Sequence, residues 1–161
     1  MLSGLYLDGI RVRWEAVRDL AIEIAADSDS HVRILARQGT SQVELRVMRD
    51  EDPAGDGDVQ FVGHAFLDIP RLLEALVSGR HLSADDTAGI GMRITAASPG
   101  PWTAIIESDG GQAGCDVIRV SDSDREADMY LWTGRDLAPS DVFRFVAAAR
   151  QDLPALLAAV R

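Results

Sequence analysis

Lysine and asparagine are absent from this chain of 161 residues, and cysteine occurs once, at Cys115. A lone cysteine excludes an intrachain disulfide, and cytoplasmic residence is the expectation. No apolar run approaches the roughly 20 residues that a membrane-spanning helix needs. Met1-Leu2-Ser3-Gly4 lacks a basic segment leading into an apolar stretch, so no signal peptide is expected. The chain has no Gly-x-Ser-x-Gly elbow, no Walker loop and no His-Glu-x-x-His helix. His31, His64 and His81 show no ligand spacing with one another or with Cys115, so neither a metal nor a cofactor is expected. Every cation is arginine, and acids outnumber bases 26 to 16, for a net charge of −10. That balance disfavours direct nucleic-acid binding, which needs clustered cations, and suits a soluble acidic surface or a basic protein partner.

What is present is a repeat. Residues 61–76, FVGHAFLDIPRLLEAL, return as residues 145–160, FVAAARQDLPALLAAV, with Phe61 answering to Phe145 and 8 of 16 positions identical. A repeat of this kind points to a duplicated unit whose single copy, about 80 residues long, has too small a core to stand easily alone. The expected organisation is a first repeat over 1–80 and a second over 81–161. An apolar fraction of 47% supplies ample core for the pair.

The repeat extends upstream as strands. Ser41–Met48 alternates apolar and polar residues, and Arg125–Trp132 lies at the same offset. His31–Ala36 matches Asp116–Val120, and Leu20–Ile24 matches Trp102–Ile106 loosely. Turn residues separate them: Asp27-Ser28-Asp29-Ser30 and Gln38-Gly39-Thr40 in the first half, Asp109-Gly110-Gly111 and Ser121–Asp124 in the second. The expected class is therefore α+β, with two αβββα-like halves. Each half is a three-stranded antiparallel meander closed by a kinked helix, and the two pack about a pseudo-twofold axis. Ser83 followed by Asp85 and Asp86 marks a helix start. Residues 7–17 stay ambiguous, because Ile10-Arg11-Val12-Arg13-Trp14 alternates like a strand.

Both closing helices carry apolar residues on one face and a proline inside, Pro70 and Pro154. Proline removes a backbone donor and crowds the preceding turn, which predicts a kink or break. Asp68 and Asp152 stand two residues earlier, placed to cap a second helical segment. Their expected role is structural. The stretch Asp50–Asp58 resembles a calcium loop in its acids and in Gly55, but Phe61 stands where the closing bidentate glutamate belongs. A solvated acidic loop is expected there. Cys115 reads as a small buried thiol at a strand entrance.

The string Ala97-Ser98-Pro99-Gly100-Pro101-Trp102 and the closing Phe145-Val146-Ala147-Ala148-Ala149-Arg150-Gln151-Asp152-Leu153-Pro154-Ala155-Leu156-Leu157 carry a resemblance. Together they are similar to the Ead-like early proteins of phages, prophages and actinobacterial genomes, a family with an Ala-Thr-Pro-Gly-Pro-Trp string and a Phe-Ile-Ala-x-Ala-Arg-x-Asp-x-Pro-x-Leu-Leu close. The likeness covers roughly residues 83–161. The first half lacks Pro-Gly-Pro-Trp and has Phe66 in place of Arg150. The resemblance implies an accessory role in mobile-element biology and carries no activity with it.

Three functions follow as expectations. The first is a non-enzymatic interaction module, a phage-type inhibitor or adaptor that presents an acidic face to a protein partner. The second is a small-molecule binder with a pocket between the halves lined by Trp102, Arg144 and Arg150, where the Trp102 indole covers the arginine stem and Arg150 reaches Asp152 or an anion. The third is a carboxylate-based enzyme.

Overall fold

The structure, a computed structural model, describes residues 1–28, 31–38, 40–50 and 52–161. Asp29, Ser30 and Gly39 of the expected turns, and Glu51 of the acidic stretch, lie outside the described residues. Helix α1 spans Gly4–Val17, followed by strands β1 (Ala21–Ser28), β2 (His31–Gln38), β3 (Ser41–Arg49) and β4 (Asp52–Pro53), then helix α2 (Asp56–Ser78). Helix α3 (Ala84–Ala96) is followed by β5 (Thr103–Ile105), β6 (Val117–Arg119), β7 (Met129–Thr133), β8 (Asp136–Leu137) and helix α4 (Ser140–Val160). Short 3-10 turns occupy Glu107–Asp109 and Arg125–Ala127. The fold is α+β, with four helices and an antiparallel sheet among the described residues.

The strands run in the order β1-β2-β3-β7-β6-β5, with β4 paired to β3 and β8 to β7. Within each meander, strands adjacent in sequence pair as antiparallel neighbours. The join between meanders is the β3–β7 ladder, which pairs Arg46 with Trp132, Val47 with Leu131 and Met48 with Tyr130. Alternation then sorts the faces. Ile22, Ile34, Ala36, Leu45, Val47, Ile118, Met129 and Leu131 are buried in one core with residues of all four helices. The intervening Arg33, Arg37, Glu44 and Arg46 are exposed, and Leu35, Met48, Tyr130 and Trp132 are half-buried. The sheet thus has a face covered by helices and a face without them, as antiparallel sheets commonly do.

Residues 4–17 form a helix, which resolves the ambiguity of the opening segment. Five alternating residues are outweighed by a longer period: Tyr6, Leu7, Ile10, Trp14 and Val17 recur at helical spacing and all reach the core. Ser3 caps the helix by accepting from the Tyr6 amide at 3.2 Å, as Ser83 accepts from the Asp86 amide at 3.0 Å in α3. Helices α2 and α4 meet through aromatics. Phe66 and Phe145 lie 4.8 Å apart between ring centroids, and Trp14 lies 5.9 Å from Phe145.

Of the expected kink or break, the break does not occur: both long helices run continuously through Pro70 and Pro154. Asp68 and Asp152 accordingly have no second segment to cap. Both are buried, and each accepts from an arginine of an opening helix: Arg93 Nη2 reaches Asp68 at 2.7 Å, and Arg13 Nη2 reaches Asp152 at 2.8 Å. Asp152 also accepts from the Tyr6 hydroxyl at 2.8 Å. A carboxylate on the buried side of a helix is desolvated, and a guanidinium relieves that cost better than an amide does.

The acidic stretch also departs from a solvated loop. Asp52 and Pro53 form β4, α2 begins at Asp56, and Asp58 is buried. Asp58 accepts from Arg49, from the Ser98 amide at 2.7 Å and from the Ser98 hydroxyl at 2.8 Å, joining the end of β3 to the end of α3.

Candidate functional site: an aromatic groove on the uncovered sheet face

Strand β7 carries Met129, Leu131 and Thr133 into the core, so Tyr130 and Trp132 must lie on the opposite face. There they line a groove of 750 Å³ with Leu137 of β8, Cys115 just before β6, and Asp50 and Asp52 at the turn into β4. The register fixes this grouping. Met48 stands opposite Tyr130, and Trp132 lies between Arg46 on one neighbour and Leu137 on the other. Asp50 turns the chain with φ of 47°, a left-handed conformation that a short polar side chain tolerates.

The groove is electronegative. Among the described residues neither Asp50 nor Asp52 makes an ion pair. Both are exposed at the rim. Burial pushes the Tyr130 phenol above its ordinary value, and the charges of Cys115, Asp50 and Asp128 add to the rise. The Cys115 thiol is also raised, first by burial and then by Glu107 and Asp116. Arg46, across the ladder from Trp132, is turned to the Gly134 carbonyl at 2.9 Å. The cation–π contact found among the described residues is Arg150 over Phe61, so no described arginine covers the Trp132 ring. Among the described residues no three of His, Cys, Asp and Glu come together in a group that could hold a metal ion.

Trp102 and Arg150 come together, with Trp102 buried and Arg150 half-buried. The Trp102 indole is buried and donates to the Ser98 carbonyl at 3.2 Å, and Arg150 Nε donates to the same carbonyl at 2.9 Å. The ring beneath Arg150 is Phe61, at 5.6 Å, rather than Trp102, which meets Phe61 edge-on at 5.2 Å. Gly100 permits this packing, since a Cβ there would stand 3.0 Å from Arg150 Cγ. Arg150 reaches Ser98 and not Asp152, which is held by Arg13 and Tyr6. Arg144 stands apart from this pair, bridging Asp109 and Asp141 at 2.9 and 3.0 Å.

Other concavities are simpler. One of 710 Å³ between α3 and α4 is lined by Gly91, Met92, Thr95, Pro154, Leu157 and Ala158 among others. Another, of 440 Å³, lies beside Pro99–Pro101 and Arg119.

Sequence reasoning did not single out Tyr130 or Trp132, and it weighed Asp50 and Asp52 only as part of a calcium-like acidic loop, not with the aromatics. The signal was the alternation Met129-Tyr130-Leu131-Trp132: if the aliphatic residues are core, both aromatics face away from it. No family model, no curated protein and no solved structure matches the chain.

Proposed function

We propose that this chain is a non-enzymatic protein-interaction module, built from two copies of a helix, three-strand, helix unit over residues 1–80 and 81–161. Its binding surface is the uncovered face of the sheet. The observation that carries the reading is the placement of Tyr130 and Trp132, half-buried and without a covering helix, at the centre of that face. Aromatic residues are the anchors that protein interfaces favour.

The duplication draws support from the β3–β7 register. Its central pair, Val47 and Leu131, is separated by the same offset as Phe61 and Phe145. The flanking pairs Arg46–Trp132 and Met48–Tyr130 exchange under that offset. A twofold axis through the central pair produces this pattern. The interaction reading is favoured over a small-molecule pocket because the residues expected to line such a pocket are committed elsewhere, Trp102 and Arg150 to Ser98 and Arg144 to two aspartates. The resemblance to phage early proteins supplies an accessory, mobile-element context for such a module, and the lone cysteine fits a cytoplasmic one.

The test places a photocrosslinking side chain at Met48, on the uncovered face, and in a second variant at Val77, on the helical side. Specific adducts with a host protein from Met48 and none from Val77 support the reading. Adducts from Val77 alone overturn it.

A further inference from the structure

The groove identifies the chemistry of the partner. We propose that it receives a cationic segment of a protein, with one lysine or arginine side chain laid over Trp132 and Tyr130 and its charge set against Asp50 and Asp52. The inference rests on the uncovered face being the binding surface and goes further by naming what binds there.

Charge is the first argument. The chain commits Arg13, Arg49, Arg93 and Arg119 to carboxylates that are buried. Asp50 and Asp52 receive no such partner among the described residues. They stand beside two aromatic rings whose faces attract cations electrostatically. Leu137 and the half-buried Cys115 give the groove an apolar floor against which the methylene stem of a long cationic side chain can lie. With a net charge of −10, the whole molecule steers cations toward its surface, and the groove then selects among them by shape.

The second argument is the broken symmetry of the face. At the offset that carries Phe61 to Phe145, Tyr130 corresponds to Arg46, Trp132 to Met48 and Asp50 to Gly134. The corresponding surface of the first half therefore replaces the two rings with a guanidinium and a thioether, and one acid with glycine. One acid remains there, since Asp52 corresponds to Asp136, but no aromatic ring is left for a cation to lie over. The sheet face has one cation site, not two, and its complex has a stoichiometry of one segment per chain.

The probes are acetylated hexa-arginine amide and hexa-glutamate amide, titrated by calorimetry and by NMR of the tryptophan indole N–H groups on the full chain. Hexa-arginine is expected to bind one to one and to shift the Trp132 resonance while those of Trp14 and Trp102 stay in place. The double variant D50N/D52N is expected to weaken it about tenfold, the scale of two exposed ion pairs together. E15Q/D122N removes the same charge from exposed positions elsewhere and is expected to leave affinity within about twofold. Trp132→Leu keeps an apolar side chain and is expected to weaken binding as well, with thermal melting reporting that each variant is folded. Equal weakening in the two charge variants, several weak sites, or no binding overturns the inference. A Trp132 shift with hexa-glutamate also overturns it, yet leaves the face as an interaction surface. Failure of the Met48 crosslinker would instead remove that surface.

Discussion

Arg13 on the first helix donates to Asp152 on the last helix at 2.8 Å, across 139 residues of chain. Arg93 and Asp68 make the reciprocal clasp from α3 to α2. Each closing helix is thus held by the opening helix of the other half. The two carboxylates are buried while the arginine side chains keep 31% and 24% of their exposure. The sequence carries this relation as well: at one constant spacing, Leu2, Ser3, Gly9, Ile10 and Arg13 return as Leu82, Ser83, Gly89, Ile90 and Arg93.

Asp152→Asn separates the clasp from a helix cap. Asparagine caps about as well as aspartate, so a capping role predicts little change. Loss of the charge leaves a guanidinium without its partner, which costs about 3–5 kcal/mol in a fully buried pair. Because Arg13 remains partly solvated, a loss of about 2 kcal/mol is expected by urea denaturation. Asp68→Asn should behave alike, and an unchanged midpoint in both variants would refute the clasp.

Tyr6 gives the clasp a pH signature. Burial, with Asp152 next to it, pushes its phenol up to about 12 from the ordinary 10. A group whose folded-state value is raised favours the fold while protonated. Its contribution is complete below pH 10 and is lost as pH rises to about 12. The wild-type chain should therefore lose stability over that interval. Tyr6→Phe should begin about 1.5–3 kcal/mol lower, the scale of a hydrogen bond to a charged acceptor, and show a flatter decline. A parallel decline in both proteins would show that Tyr6 is not the group titrating.

Gly57 marks where α2 meets the end of α3. A Cβ at this position would overlap the carbonyl oxygen of Ala96 and stand 2.9 Å from its carbonyl carbon, backbone atoms that cannot swing aside. Gly57→Ala, although it improves helix propensity, is expected to lower stability by about 2 kcal/mol through overpacking. A stabilised variant in thermal melting would mean the two helices have room to part.

How much of this was legible in the sequence depends on the range of the interaction. The meanders were readable because alternation and turn residues act over a few positions. The long helices were readable because Leu72 and Leu156, among others, keep one apolar face. Proline does not break either helix: the packing of α2 and α4 holds each one through Pro70 and Pro154, a tertiary influence that no local rule contains. The roles of Asp68 and Asp152 were misplaced for the same reason, since their partners lie far along the chain. Burial of Asp58 depended on Ser98 and Arg49 converging on it. The groove was invisible because its acids and its aromatics belong to different halves and meet only through the β3–β7 ladder.

Cys115 reports on the groove. Burial and the neighbouring Glu107 and Asp116 raise its thiol, so less thiolate is present at a given pH than in an unhindered cysteine. Iodoacetamide should modify the folded chain slowly at about pH 8, with a rate that keeps rising beyond the ordinary thiol range near about 8.5. In urea the profile should return to that ordinary range. A folded-state rate matching the unfolded one would show that the thiol is neither shielded nor in a negative field.

Arg150 is the last case, and it separates packing from binding. Phe66 of the first half covers Phe145 of the second, whereas Phe61 of the first half, the counterpart of Phe145 in the repeat, is covered by the Arg150 guanidinium of the second at 5.6 Å. The arginine does what a phenylalanine does in the other half, and in addition donates to the Ser98 carbonyl, where α3 gives way to the Pro99–Pro101 turn. Burial lowers its pKa from the usual arginine value, and Asp58 nearby opposes that shift. Arg150→Ala therefore removes a cation–π contact, a stem packed on Gly100 and one hydrogen bond, for an expected loss of about 2 kcal/mol. Arg150→Met, which keeps the stem, should recover part of that loss. Neither change touches the uncovered sheet face, so crosslinking from Met48 and the Trp132 response to hexa-arginine should persist in both folded variants. A folded Arg150→Ala protein that no longer crosslinks from Met48 would make Arg150 part of the binding surface.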